Sequence, residues 1–150
     1  MGTINVVSTI KLIHPSCVVM VKIGSFYSVY GKDAYLFSYL FRYKIKEKEN
    51  IPICSFPVSS LSKIENILEK HKVNYIVVDK RRNYEEEQKV INKQDNNYER
   101  VLAKANESVT FMLRIQRIYD MLLEERDNHN IDKKLKEIEK VLNSDERRKI

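Results

Sequence analysis

The sequence predicts an α+β fold, a mixed β-sheet with surrounding helices followed by a C-terminal helical hairpin. Three observations carry this. Short β-branched apolar runs alternate with segments of helical period across residues 17–79, the pattern of a sheet with helices packed on it. Apolar residues then recur every three or four positions from Leu102 to Leu142, broken by one polar turn, as in two amphipathic helices. The 150 residues are 43% hydrophobic, enough to bury a core in one domain, or in a domain with an appendage.

Residues 3–13, TINVVSTIKLI, mix β-branched side chains without a clear period, so helix and strand both stay open. His14-Pro15 ends either one, because the residue before proline is driven out of the helical region. Cys17 to Ile23, CVVMVKI, lies between Pro15 and Gly24 and reads as a buried strand. Phe26 to Tyr30 continues as a second extended piece, with Phe26, Ser28 and Tyr30 on one side and Tyr27 and Val29 on the other. Gly24 bends the chain between them or forms a bulge. Asp33 caps a helix of about three turns whose Leu36, Phe37, Leu40 and Phe41 share a face, with Tyr39 and Tyr43 along its flank.

Arg42, Lys44, Lys46 and Lys48 follow at every second residue, so an extended chain puts all four cations on one side. A solvated edge strand blunted by lysine and a stripe facing nucleic acid both fit. Ile51 to Pro57 is a strand bounded by prolines, with Pro52 suited to an edge or a first strand position. Ser62-Lys-Ile-Glu65 is a capping-box pattern opening a helix with Ile64, Ile67 and Leu68 on one face, which ends near His71-Lys72. Val73 to Asp79 reads as a strand buried on both faces. The first domain thus spans residues 1–80.

Residues 81–97 are polar and charged without an apolar face, a linker or surface segment. Residues 98–150 form the hairpin. Leu102, Ala105, Val109, Met112, Ile115, Tyr119 and Leu122 stripe one helix to about Arg126, Asp127 to Asn130 turn, and Ile131, Leu135, Ile138 and Leu142 stripe the second. A hairpin with one apolar seam cannot bury it alone. Docking on the N-terminal domain and homo-oligomerisation through residues 98–150 are the two ways to cover it.

The formal charge is +6, with 12 Lys and Arg against 11 Asp and Glu from residue 98 on and 15 against 10 before it. The basic excess therefore belongs to the N-terminal part, where it suits a phosphate backbone or another anionic partner; a Lys-, Asn- and Ile-rich composition produces the same excess. Cys17 and Cys54 form no C-x-x-C pair and sit among apolar residues, as buried reduced thiols do. Residues 1–20 lack a signal pattern, and Lys11, Lys22 and Lys32 interrupt any membrane-length apolar run, so a cytoplasmic protein with no membrane partner is expected.

Catalytic patterns are missing. No GxxxxGK[ST] loop and no GxGxxG turn occur among three glycines. Ser60-Leu-Ser-Lys63 matches S-x-x-K without its companion motifs, at a helix start where serines cap. His14, His71 and His129 have no neighbours at ligand spacing, and Glu85, Glu86 and Glu87 on a helix would scatter over different faces. The expectation is a non-enzymatic protein with no catalytic residue, metal site or cofactor. What remains is the aromatic stretch between Gly24 and Gly31. Phe26, Tyr27 and Tyr30 either join Phe37 and Phe41 in a core, or leave one ring of the Phe26-Tyr27 pair exposed, and an exposed Phe beside cations can wedge between stacked bases.

The order His14-Pro15, apolar strand, IGSFYSVYGKDA, helix, IPICSFP, capped helix and terminal strand resembles the N-terminal mismatch-recognition domain of MutS proteins, from about His14 to Lys80. That domain reads HP-x-apolar-GDFYE-apolar-F/Y-x-x-DA and then IPMAGIPYH. The resemblance implies an α+β domain with a mixed sheet, and a minor-groove role in which the first aromatic of GDFYE stacks on a mispaired or unpaired base of kinked DNA. Phe26 holds that position; Ser28 stands where the base-contacting Glu would be, and Ser25 where the Asp would be. The IPYH segment becomes Phe56-Pro57-Val58-Ser59, and the connector, lever, clamp and ATPase domains of MutS have no counterpart in these 150 residues.

Without the carboxylate the site keeps a wedge and loses an acceptor, which lowers mismatch discrimination and favours general attraction to phosphate. The resulting expectation is weak, low-specificity binding to distorted DNA, or another nucleic acid, by Phe26, Tyr27, Ser28 and Ser25, with Lys22, Lys32, Arg42, Lys44 and Lys46 as phosphate contacts. The alternative is an interaction adaptor assembled with a protein partner through the C-terminal helices; small proteins with only a MutS-like first domain also resemble accessory components of diversity-generating retroelements.

Overall fold

The computed structural model describes residues 2–146. In chain order the elements are α1 (Thr3–Ile13), β1 (Val18–Ile23), β2 (Phe26–Tyr30), α2 (Lys32–Phe41), β3 (Lys46–Lys48), β4 (Ile51–Pro57), α3 (Leu61–Lys70), β5 (Tyr75–Asp79), β6 (Glu85–Val90), α4 (Tyr98–Glu124) and α5 (Ile131–Glu146), with single 3-10 turns at Val58–Ser60 and Lys80–Arg82. The α+β class and the mixed sheet are as expected. The six strands run in the order β3-β4-β2-β1-β5-β6, and only the β1·β5 pair is parallel. The chain divides into two compact units, Met1–Val109 and Thr110–Ile150.

Period-2 alternation sorts the sheet onto two cores. Val18, Met20, Tyr27, Val29, Phe56, Tyr75 and Val77 point to the larger one, closed by Leu36 and Phe37 of α2, Ile64 and Leu68 of α3, and Tyr98, Leu102 and Ala105 of α4. Val19, Val21, Ile76 and Val78 point the other way, to Val7 and Ile10 of α1. This settles residues 3–13 as a helix. Their β-branched side chains cost a few tenths of a kcal/mol each in a helix, and burying Val7 and packing Ile10 on the second sheet face offsets part of that.

Asp33 does not cap α2. Gly31 holds the N-cap position, with φ 62° and ψ −128°, a conformation L side chains rarely adopt. Asp33 instead turns into the protein and is fully buried. Its Oδ1 accepts from Tyr98 Oη (2.6 Å) and Lys11 Nζ (2.9 Å), and its Oδ2 from the Val19 N–H (3.0 Å). The Val18 N–H points to β5, donating to the Asn74 carbonyl, so the next N–H, Val19, points to the β2 side, beyond the last β1·β2 pair of Val21 with Ser28. The carboxylate completes the ladder there. Lys11 Nζ also donates to the Cys17 carbonyl (2.6 Å) and Tyr98 Oη (3.0 Å).

Other local expectations change in the same way. Gly24 neither bends a continuous strand nor makes a bulge: Ile23 pairs with Phe26, so Gly24-Ser25 is a two-residue hairpin loop, with Gly24 at φ 62°, in the position a II′ turn gives to glycine. Ser62 does not form a capping box. Ser60 is the N-cap of α3 with no side-chain cap bond, and Glu65 accepts from Tyr75 Oη at 2.9 Å. Glu85, Glu86 and Glu87 lie on a strand, not a helix: the polar stretch after residue 80 contains β6, an exposed edge strand paired with β5. Pro52 is second in β4, where β3 lies on one side and β2 has already ended.

Cys17 and Cys54 are buried free thiols, and burial pushes them up to about 12 and about 11. Among the described residues no helix is long and apolar enough to cross a membrane. In the second unit the turn after α4 is tied by Lys134 to Glu125 at 2.7 Å. The apolar stripe read along α4 divides: Leu102, Ala105 and Val109 are buried, whereas Met112, Ile115 and Tyr119 are exposed.

Asp33→Asn leaves Lys11 without its counter-charge and turns one acceptor into a donor; it is expected to cost about 2–4 kcal/mol in urea unfolding. A loss below 1 kcal/mol would refute the central place given to this carboxylate. Lys72, at φ 58° in a Schellman ending of α3 (Val73 N–H to the Leu68 carbonyl, Lys72 N–H to that of Glu69), occupies a glycine position. Lys72→Gly is expected to raise stability by about 0.5–1 kcal/mol in the same assay.

Candidate nucleic-acid interface

The β1–β2 turn fixes what β2 displays. With only two loop residues, Phe26 begins β2 opposite Ile23, and alternation sends Phe26, Ser28 and Tyr30 to the sheet face that carries Val19 and Val21. Phe26 is 50% exposed. Across the β2–β4 ladder Phe26 pairs with Pro57, Ser28 with Ser55 and Tyr30 with Ile53; across β4–β3, Ile53 pairs with Lys46 and Ile51 with Lys48. These residues share one face. Ser55, Pro57, Lys46 and Lys48 are exposed on it, and Ile51 and Ile53 half-buried. It presents an aromatic ring and a proline at one corner, two hydroxyls beside them, and lysines toward the far end of the edge: Lys46 and Lys48 pair with Ile53 and Ile51, while Phe26 pairs with Pro57, which puts their backbones roughly 17 and 22 Å from that of Phe26.

Ser28 is 8% exposed and its Oγ lies 2.9 Å from Ser55 Oγ. Either hydroxyl can donate, so the pair satisfies itself and leaves each oxygen free to accept again. Ser25 is exposed, and its carbonyl accepts from the Val58 N–H at 3.0 Å, tying the hairpin turn to the exit of β4.

Tyr27 takes the other face. It is 2% exposed and stacks on Phe56 with centroids 5.5 Å apart; Phe56 stacks in turn on Phe37 at 5.7 Å. Its Oη donates to Glu87 Oε2 at 3.3 Å. Burial, then the Glu87 charge, pushes this phenol up to about 12. The pair Phe26-Tyr27 is thus one exposed ring and one core ring, and the buried one anchors the strand that carries the other.

The candidate cations are spread more widely than their spacing suggests. Lys22 pairs with Tyr27 and Asp79 in the ladders, on the face opposite Phe26. Lys32 opens α2, beyond the far end of β2 from Phe26. Arg42, at φ 62°, and Lys44 are exposed in the segment before β3, and Tyr43 and Ile45, which alternate with them, pack on the larger core. The structure therefore brings Phe26 and Ser28 onto one face with Lys46, and adds Ser55, Pro57 and Lys48. Ser55 and Pro57 escape sequence reading because their side of β4 follows from strand register alone. The opposite sheet edge, β6, exposes Glu85, Glu86 and Glu87 with Lys89, and the turn before it exposes Lys80, Arg81 and Arg82, whereas the β3 edge exposes Lys46 and Lys48 around Glu47. No group of three or more His, Cys, Asp or Glu is placed to hold a metal among the described residues.

A family model described as MutS domain I matches residues 1–111, a span that ends two residues beyond the first compact unit. No curated protein matches the chain.

Alkaline titration tests the placement of Tyr27. Its folded value lies above the unfolded 10.0, so the unfolded state releases this proton first. The stability it contributes is complete below about pH 10 and is lost as pH rises toward 12. Tyr27→Phe is expected to flatten the fall of the urea midpoint between pH 9 and 11; an unchanged slope would mean that this phenol is not held in the core.

Proposed function

The chain belongs to the MutS domain I family, and from that premise we propose that it is a non-enzymatic module that grips distorted DNA through the β2–β4–β3 half of one sheet face, with Phe26 as the wedge. Domain I of MutS proteins is a DNA-recognition domain. The observation that carries the reading to this chain is the half-exposed ring of Phe26 beside a fully buried Tyr27: an aromatic kept in water on a rigid hairpin is poised to stack between bases in a kinked minor groove.

Stacking on a base contributes about 1–3 kcal/mol whatever the base. Ser28, held by Ser55, offers a hydroxyl where the family has a carboxylate, so it neither repels phosphate nor demands a particular donor on the base. Arg42, Lys44, Lys46 and Lys48 supply phosphate contacts along the edge, with Ser25 at the hairpin tip, Lys22 on the opposite face and Lys32 farther off. With about four phosphates neutralised, log K falls against log salt with a slope of roughly −3.6. The reading is a sequence-tolerant clamp for flexible or damaged duplex.

Fluorescence anisotropy on mismatched, bulged and fully paired duplexes tests this. Phe26→Ala is expected to weaken binding to bulged and mismatched DNA about 5- to 150-fold and to change paired duplex little; equal affinities for variant and wild type on all three would refute the wedge. Ser28→Glu is expected to weaken binding to paired duplex and so to raise the mismatch preference. An unchanged ratio would refute the account given of the missing acid.

A further inference from the structure

The second unit carries apolar surface that its own two helices leave open. On α4, Phe111, Ile115 and Ile118 are 45–61% exposed, and on α5, Leu135, Ile138 and Leu142 are 38–65% exposed. Their 4-3 and 3-4 spacing, continued by Leu122 on α4 and Ile131 on α5, is that of a helix-bundle seam. A groove of about 450 Å³ walled by Leu122, Ile138, Val141 and Leu142 runs between the helices, bordered by Lys134 and Glu137.

We propose that this groove and the stripes beside it are covered by the same unit of a second copy of this chain, giving an antiparallel four-helix bundle and a dimer. Area supports it. Phe111, Ile115, Ile118, Leu135, Ile138, Val141 and Leu142 leave on the order of 600 Å² open, so two copies would bury about 1,200 Å², the lower end of a standard interface. Charge supports the same occupant. Residues 110–144 carry seven Lys and Arg and seven Asp and Glu, so this unit is neutral in a chain of +6, neither drawn to phosphate nor repelled by its own copy. A dimer joins two recognition domains, so DNA binding becomes bivalent.

Light scattering after gel filtration at micromolar concentration tests the proposal. The wild type is expected to run with the mass of two chains, and Ile115→Asp and Ile138→Asp with the mass of one, with the thermal transition of the N-terminal unit retained. Leu12→Asp, which alters an 84%-exposed side chain of the first unit, is the control and is expected to stay dimeric. A wild-type mass of one chain, a mass of three or more, or a dimer that both groove variants leave intact would each overturn the proposal. Phe26→Ala leaves the mass unchanged under it, so failure of the wedge and failure of the dimer are read separately.

Discussion

A single buried carboxylate holds the first unit together. Asp33 joins α1 through Lys11, β1 through the Val19 N–H and α4 through Tyr98. Three segments distant in sequence thus meet on one side chain. A charge taken fully out of water is tolerated only where donors replace its hydration; here two side chains and one backbone amide do so. Tyr98 answers in kind: its phenol is pushed well above its ordinary range, first by burial and then by the Asp33 charge. The hydroxyl therefore stays protonated and goes on donating.

That anchor lies at the Tyr30 end of the β1–β2 hairpin, and its fixity is what the other end uses. The tip carries Gly24 at positive φ and Phe26 half in water. Phe26 cannot retreat: Tyr27, next along the strand, is pinned between Phe56 and Glu87, and a one-residue slip would expose Tyr27 and Val29 while burying Ser28 and Tyr30 in the larger core. A sheet with two different cores permits one register.

The helix α4 serves two purposes along its length. Its first three turns close the larger core with Tyr98, Leu102 and Ala105. Its later turns, with α5, carry an equally apolar stripe in a segment whose charges cancel. The apolar face moves round the helix at the boundary: with 3.6 residues per turn, Phe111, Ile115 and Ile118 lie more than a quarter turn from Leu102, Ala105 and Val109.

Much of this was legible in the sequence. Apolar patterning located β1, β2, β4, β5, α2, α3 and the two C-terminal helices, β1 and β5 as short continuous apolar runs and the helices by a face whose period matches their backbone. The order of motifs around Phe26 pointed to the family. Residues 3–13 and β6 were not legible, for a shared reason: TINVVSTIKLI has no clean period and EEEQKV no apolar face, and each takes its conformation from the neighbour it packs on or pairs with. The sequence could say that Asp33 sits at a helix start; only tertiary structure decided that it would be buried, since the Lys11 and Tyr98 that make burial affordable arrive from 22 residues before it and 65 after. Likewise, composition made Phe26 and Tyr27 equals. Strand register separated them, because alternation assigns opposite faces but only the packing of α2, α3 and α4 on one face decides which ring is covered.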